Sequence, residues 1–226
     1  ILLFIIPVRV FSQFILPFFE DFNEFTCNDT LPDGSCYSNT TPDGWIFPLS
    51  DLDNPITWRA GTIGYQGHVI GDPPPAAYFY YDPTHVNYEF RLKSPTIYVG
   101  SAEQVQVSFW MELDFWAGAA LDGTEGLSIE YRTPGQNWQE VLGYEVLEDI
   151  DVNFPLRNDS YMADVTDSIQ LGFRAHGVNS FDINSWDIDN VTVTPVPQLT
   201  YVSIRSNNSL DSTLAVTGDT ITLKFT

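Results

Sequence analysis

The chain has 226 residues, 43% of them hydrophobic and 15% aromatic, which suffices for one large β domain, or one domain and part of another, and excludes disorder. Nine Lys and Arg stand against 30 Asp and Glu, a formal charge of -21, so neither a nucleic-acid backbone nor an anionic membrane surface is its main partner. The acid excess serves either solubility or a cation, and composition leaves both open.

Ile1 to Val10 is an apolar run broken by Pro7 and Arg9. It is shorter than the ~20 residues a membrane span needs. Together with Phe11-Ser12-Gln13 it resembles the tail of a secretory signal peptide, so residues 1–13 are read as its remnant and export is expected. The alternative is a first buried strand. From Phe14 the pattern is β throughout, with strands expected at Phe14 to Phe25, Trp45 to Pro48, Ala77 to Tyr81, Tyr88 to Leu92, Gln104 to Phe115 and Leu127 to Arg132. Further strands are expected at Gln139 to Val146, Ser160 to Asp164, Ser168 to Ala175 and Ser185 to Thr194. The clearest is Gln104 to Phe115, where Val105, Val107, Phe109, Met111, Leu113 and Phe115 alternate with polar or outward residues, as in a half-buried strand. Loops such as Gly71-Asp72-Pro73-Pro74-Pro75 and Thr133-Pro134-Gly135-Gln136-Asn137 separate the strands, and no segment has a convincing helical period. About ten short strands with polar loops predict an antiparallel β-sandwich or jelly roll over residues 14–194.

Pro195-Val196-Pro197 cannot continue a central strand and opens a stiff linker over 195–200. Beyond it, Tyr201 to Ile204 and Thr220 to Phe225 read as strands, with Ala215 to Asp219 as a turn. Two strands do not bury a core, so 201–226 is read as the start of another β-domain.

Cys27 and Cys36 flank the turn formers Asn28, Asp29, Pro32, Asp33, Gly34 and Ser35. In an exported protein they are expected to form a disulfide; the alternatives are two free thiols or half of a metal site. Ser185 to Val193 reads as a core strand carrying two carboxylates, Asp187 and Asp189, and its apolar phase changes between Ile188 and Val191 as a bulge would require. It is expected to close the sandwich against the stretch Phe19-Glu20-Asp21-Phe22. Trp58, Tyr65, Tyr78, Tyr80, Trp116 and Trp138 are candidates for a ligand patch, since aromatic rings stack on sugars and anchor interfaces, or else they complete the core beneath the loops. Glu112, Asp114 and Glu130 resemble part of a glycosidase set, but Ala117 stands where such enzymes place a second Glu, and no enzyme is expected. His68, His85 and His176 have no metal spacing and read as incidental.

In their order and spacing, Phe19-Glu20-Asp21-Phe22, Pro42-Asp43-Gly44-Trp45, Thr57-Trp58, Leu92-Lys93-Ser94-Pro95, Val107-Ser108-Phe109-Trp110, Leu127 to Arg132 with Asn137-Trp138, and Trp186 to Val191 resemble the choice-of-anchor J type of jelly-roll domain, a relative of MAM domains. The tail from Val202 resembles the opening of a bacterial immunoglobulin-like repeat. The resemblance implies a calcium ion linking first and last strands, here through Glu20 or Asp21 and Asp187 or Asp189, with Asp51 and Asp53 as further ligands. It also implies a non-catalytic adhesion or ligand-binding module of a larger secreted or cell-surface protein, with a glycan or an extracellular protein as ligand. The alternative is a carbohydrate-binding accessory domain of a secreted peptidase or glycosidase whose catalytic part lies outside this chain.

Overall fold

The computed structural model describes residues 14–23, 29–30, 36–38, 42–47, 57–63, 75–79, 81, 84–115, 125–145, 156–197, 199–206 and 209–216. Within these the chain forms β1 (Phe14–Ile15), β2 (Phe18–Glu20), β3 (Asp29–Thr30), β4 (Cys36–Ser38), β5 (Trp58–Ile63), β6 (Ala76–Phe79), β7 (Val86–Lys93) and β8 (Ile97–Tyr98). It continues with β9 (Gln104–Phe115), β10 (Gly126–Arg132), β11 (Gln139–Glu145), β12 (Arg157–Asp164), β13 (Ser168–Asn179), β14 (Ile183–Pro195), β15 (Leu199–Ser206) and β16 (Ser209–Val216). A 3-10 turn at Ser180–Asp182 links β13 to β14, its Phe181 N–H donating to the Asn179 side chain.

Two sheets make the sandwich. Sheet I runs β1-β8-β13-β10-β11, with β7 beside β13 on the same edge as β8; sheet II runs β12-β9-β14-β6-β5-β4-β3, with β2 beside β14. Every pairing is antiparallel except the two-residue β1–β8 contact. β9, β10, β12, β13 and β14 pass back and forth between the sheets, as in a jelly roll. The alternating apolar residues meet in the middle: Phe109, Met111 and Leu113 of β9 and Trp186, Ile188 and Val191 of β14 pack toward Leu127 and Ile129 of β10 and Leu171 and Phe173 of β13. Trp45 lies between Phe22 and Phe173, with ring centroids 5.1 and 6.4 Å away.

The expected closure of β14 against the first strands is present: Val191, Thr192 and Val193 pair with Glu20, Phe19 and Phe18. The phase change in β14 is a bulge between Asp189 and Thr192, where Asn190 takes φ 47. Four expectations need correction. The stretch after Phe14 is two short pieces rather than one strand, because Pro17 has no N–H for a ladder. Of Trp45 to Phe47, the described part of the strand expected at Trp45 to Pro48, only Ile46 pairs, in a single bridge to Lys93. β5 was not expected, because Trp58, Arg59 and Ala60 are all buried and leave no alternation to read. Beyond the linker the second strand is Ser209–Val216, pairing with β15 across residues 207–208, so Ala215 and Val216 belong to a strand rather than a turn, and Thr220 to Phe225 lie outside the described residues.

Candidate binding face

The strands of sheet I turn their polar alternates outward, and the register aligns them in rows. Lys93, Gly172 and Glu130 form one row, with Glu140 of β11 beside Glu130. Arg91, Arg174 and Ser128 form the next, ending at Gly143, and Glu89, His176, Gly126 and Glu145 the one after. Arg132 lies opposite Gln170 at the other end. The face thus holds Arg91, Lys93, Arg132 and Arg174, four of the nine Lys and Arg of the whole chain, against the same number of Glu, so it is neutral within a strongly acidic protein.

Glu130 is the centre. Its side chain is 5% exposed, and it accepts from Arg91 Nε at 2.5 Å and from Arg174 Nε at 2.7 Å. A buried carboxylate needs such partners. The arginines reach further outward, Arg91 Nη2 to Glu89 at 3.3 Å and Arg174 Nη2 to Glu140 at 2.9 Å. Burial opposes the Arg174 cation, but the hydrogen bond and charge of Glu130, with Glu89 and Glu140, outweigh it and hold the guanidinium above its ordinary range. Arg174 Nη2 also donates to Ser128 Oγ at 2.8 Å, which leaves the Ser128 hydroxyl proton for His176 Nε2 at 3.1 Å. Burial, then the charge of Arg174, keep the His176 imidazole below its ordinary value against the pull of the nearby glutamates.

Trp138 lies across this lattice. The Arg91 guanidinium sits 4.9 Å and that of Arg132 4.4 Å from the centre of its ring. The sheet makes room for it with Gly172, where an added Cβ would come 2.8 Å from Trp138 Cζ3. Arg132 in turn donates from Nε and Nη2 to Gln170 Oε1, at 3.0 and 2.8 Å. Gln170 is buried and donates to the Ser94 carbonyl at 2.8 Å.

The opposite outer face, on sheet II, is the acidic one. Arg59, Tyr78, Asp187 and Glu112 align across β5, β6, β14 and β9; Ser185 faces Asp114, and Asp189 faces Trp110. Asp187 and Asp189 are buried, Asp187 accepting from Ser185 Oγ and Asp189 from the Asn190 N–H at 2.7 Å. Glu112 and Asp114 therefore point away from Glu130, on the far side of the sandwich.

The residues named for calcium do not come together. Glu20 lies opposite Val191, whose side chain is in the core, whereas Asp187 and Asp189 point to the outer face of the same sheet. The Glu20 carboxylate accepts from the Phe22 N–H at 2.8 Å and from Trp45 Nε1 at 3.0 Å, and Asp21 accepts from the Asn23 N–H at 3.1 Å. Among the described residues no three His, Cys, Asp or Glu side chains are grouped as a metal would need. The described residues thus do not fit a calcium ion shared between first and last strands; Asp51 and Asp53 lie outside them. Of the aromatic patch, Trp58 and Tyr78 are 2% and 1% exposed, and Trp58 Nε1 donates to the Phe90 carbonyl at 3.0 Å; both serve the interior rather than a surface patch. Tyr65, Tyr80, Trp116, Cys27 and the Cys36 side chain lie outside the described residues, and Trp138 alone of the patch is described at the surface. Nor is His176 incidental, since it is part of the lattice. The signal for this face was present as the alternate polar members of three expected strands, Glu89-x-Arg91, Ser128-x-Glu130-x-Arg132 and Gln170-x-Gly172-x-Arg174, with Lys93 and His176 one residue past the expected ends of the first and the third.

No family model matches the chain, and no curated protein does. Among solved structures it is similar to a cleaved adhesin domain of Lys-gingipain from Porphyromonas gingivalis, at 14% identity and a TM-score of 0.48 over 79% of this chain and 98% of that one. It is similar to a carbohydrate-binding module solved with β-1,4-galactotriose, at 11% identity and a TM-score of 0.38 over 67% of this chain and 88% of that one. The enzymatically active domain of a bacteriophage CBA120 tailspike protein is matched at 16% identity and a TM-score of 0.44 over 68% of this chain, which spans only 19% of the tailspike chain.

Proposed function

We propose that the chain is a non-catalytic ligand-binding module of a larger secreted or cell-surface protein, and that the ligand sits on the outer face of sheet I. The observation that carries this reading is the lattice around Glu130. Four of the nine cations of an acidic chain are fixed on one rigid sheet face, beside a partly accessible Trp138. Arginine and tryptophan on a pre-organised surface are the residues that dominate recognition of polar ligands. Support for the non-catalytic part comes from the carboxylates. Glu112 and Asp114 are separated from Glu130 by the thickness of the sandwich, and Ala117 stands where a glycosidase set would continue. The resemblance to choice-of-anchor J and MAM domains supports the extracellular setting.

Binding of the purified chain to immobilised glycans and extracellular proteins tests this. The expected result is at least one saturable ligand that is lost with Trp138→Ala and kept with Asp114→Ala on the opposite face. Ligands insensitive to Trp138, or more sensitive to Asp114, would overturn it.

A further inference from the structure

Arg132 is an exception among the arginines of the lattice. Arg91 and Arg174 each meet a carboxylate, and so does Arg157 elsewhere, which meets Asp159 at 3.1 Å. Among the described residues Arg132 meets none: its partners there are Gln170 Oε1 and the face of Trp138. In a chain with 30 acidic residues, the acceptor that fixes this guanidinium is a neutral amide. Gln170 is itself buried and anchored to the Ser94 carbonyl, whose residue accepts at Oγ from the Leu171 N–H at 2.8 Å, so the acceptor cannot easily move. Both bonds from Arg132 use the Nε–Nη2 side of the fork. The Nη1–Nη2 end, which can also take a carboxylate in bidentate fashion, meets no further acceptor among the described residues. Lys93, on the next row and two strands away, also meets no carboxylate among the described residues.

From this geometry, and resting on the reading of sheet I as the binding face, we infer that Arg132 is an anion receptor, oriented by Gln170 and Trp138, for a carboxylated sugar within an otherwise neutral glycan. Three features argue for that ligand. A bidentate fork matches a planar carboxylate. The surface beside it is polar, with Glu140 half exposed and Arg91 and Arg174 partly exposed around the buried Glu130, which suits a sugar ring better than a peptide side chain seeking an apolar pocket. The overall charge of -21 repels a polyanion, so the anionic groups of the ligand are sparse.

Calorimetry with sialyllactose against lactose, and with an aldouronic xylo-oligosaccharide against xylotriose, tests the inference and separates the two sources of carboxylate. Binding of at least one acidic sugar is expected, at least tenfold tighter than its neutral control, weakening as salt rises. Arg132→Ala and Gln170→Glu should each reduce it at least tenfold, the second because the new carboxylate occupies the fork while the sheet stays folded. Equal affinity for acidic and neutral sugars, or binding unchanged in both variants, would overturn the receptor. Equal affinity for a glutamate-containing tetrapeptide would overturn the choice of a glycan. A neutral ligand lost with Trp138→Ala, with no preference for acid, would overturn the receptor and leave the binding face standing; if no ligand depends on Trp138, both readings fall.

Discussion

Glu130 and Arg174 meet at 2.7 Å across adjacent strands, and the other oxygen of the same carboxylate takes Arg91 at 2.5 Å. Glu130 therefore bridges two guanidiniums that are each only 18% exposed at the side chain. Removing the carboxylate takes from both their buried partner and leaves only the more exposed Glu89 and Glu140. Glu130→Gln is expected to lower stability by about 3 kcal/mol, the range found when one partner of a buried pair is deleted. Glu140→Gln, at a half-exposed position, should cost less than about 1 kcal/mol. Urea unfolding of the two variants checks the contrast.

His176 sets a pH dependence with a definite sign. Its folded value lies below the ordinary one, so on acidification the unfolded chain takes up its proton first. This group therefore leaves stability intact above the unfolded value of about 6.5 and removes it as pH falls from there toward the lower folded value. His176→Asn should flatten that part of the curve. Urea midpoints of the two proteins, measured from about pH 7.5 to about pH 5.5, should converge or cross as the solution becomes more acidic.

Gly172 is the seat of Trp138. A methyl group there would meet Trp138 Cζ3 at 2.8 Å and Arg91 Cδ at 3.0 Å. Gly172→Ala is expected to displace the indole, shift its fluorescence to the red and cost about 1–2 kcal/mol. In a Trp138→Ala background the same change should cost much less, and a double-mutant cycle measures the difference.

Glu20 holds Phe22 at φ 53 by accepting its N–H, and holds Trp45 through its indole nitrogen. Glu20→Ala is expected to destabilise by about 2 kcal/mol, because two donors lose a charged acceptor. Melting curves should show the same loss in chelator as in calcium, since hydrogen bonds rather than an ion explain it. A loss that appears only in calcium would restore the metal reading.

Much of the sandwich was legible because alternation survives wherever one side of a strand meets water. The strand expected at Gln104 to Phe115 is β9, and the core members named for it include Phe109, Met111 and Leu113, all buried. The reading lost β5, where the buried Arg59 between Trp58 and Ala60 gives no alternating signal. The binding face was lost for a different reason. Glu130 and Arg174 are far apart in sequence and neighbours only because β13 lies between β7 and β10. Local pattern tells which way a side chain points, but not which strand lies alongside. The placing of the acids was illegible for a related reason: Glu20 and Asp189 do lie on paired strands, but the bulge at Asn190 leaves them on opposite sides of the sheet.

The strand that completes the sandwich also sits in the middle of it. β14 has β9 on one flank and β6 with β2 on the other, although it is the last of the sandwich strands to leave the ribosome. Until residue 195 has emerged, β6 and β9 have open edges facing each other across a gap, and Phe79 lacks its neighbour Trp186. Nascent chains that end before Ile183 should therefore stay unfolded and accessible to chaperones rather than settle as a partial domain. The topology thus delays collapse until synthesis of the sandwich is finished, so the order of the strands in the chain, and not their number, sets when the domain can fold.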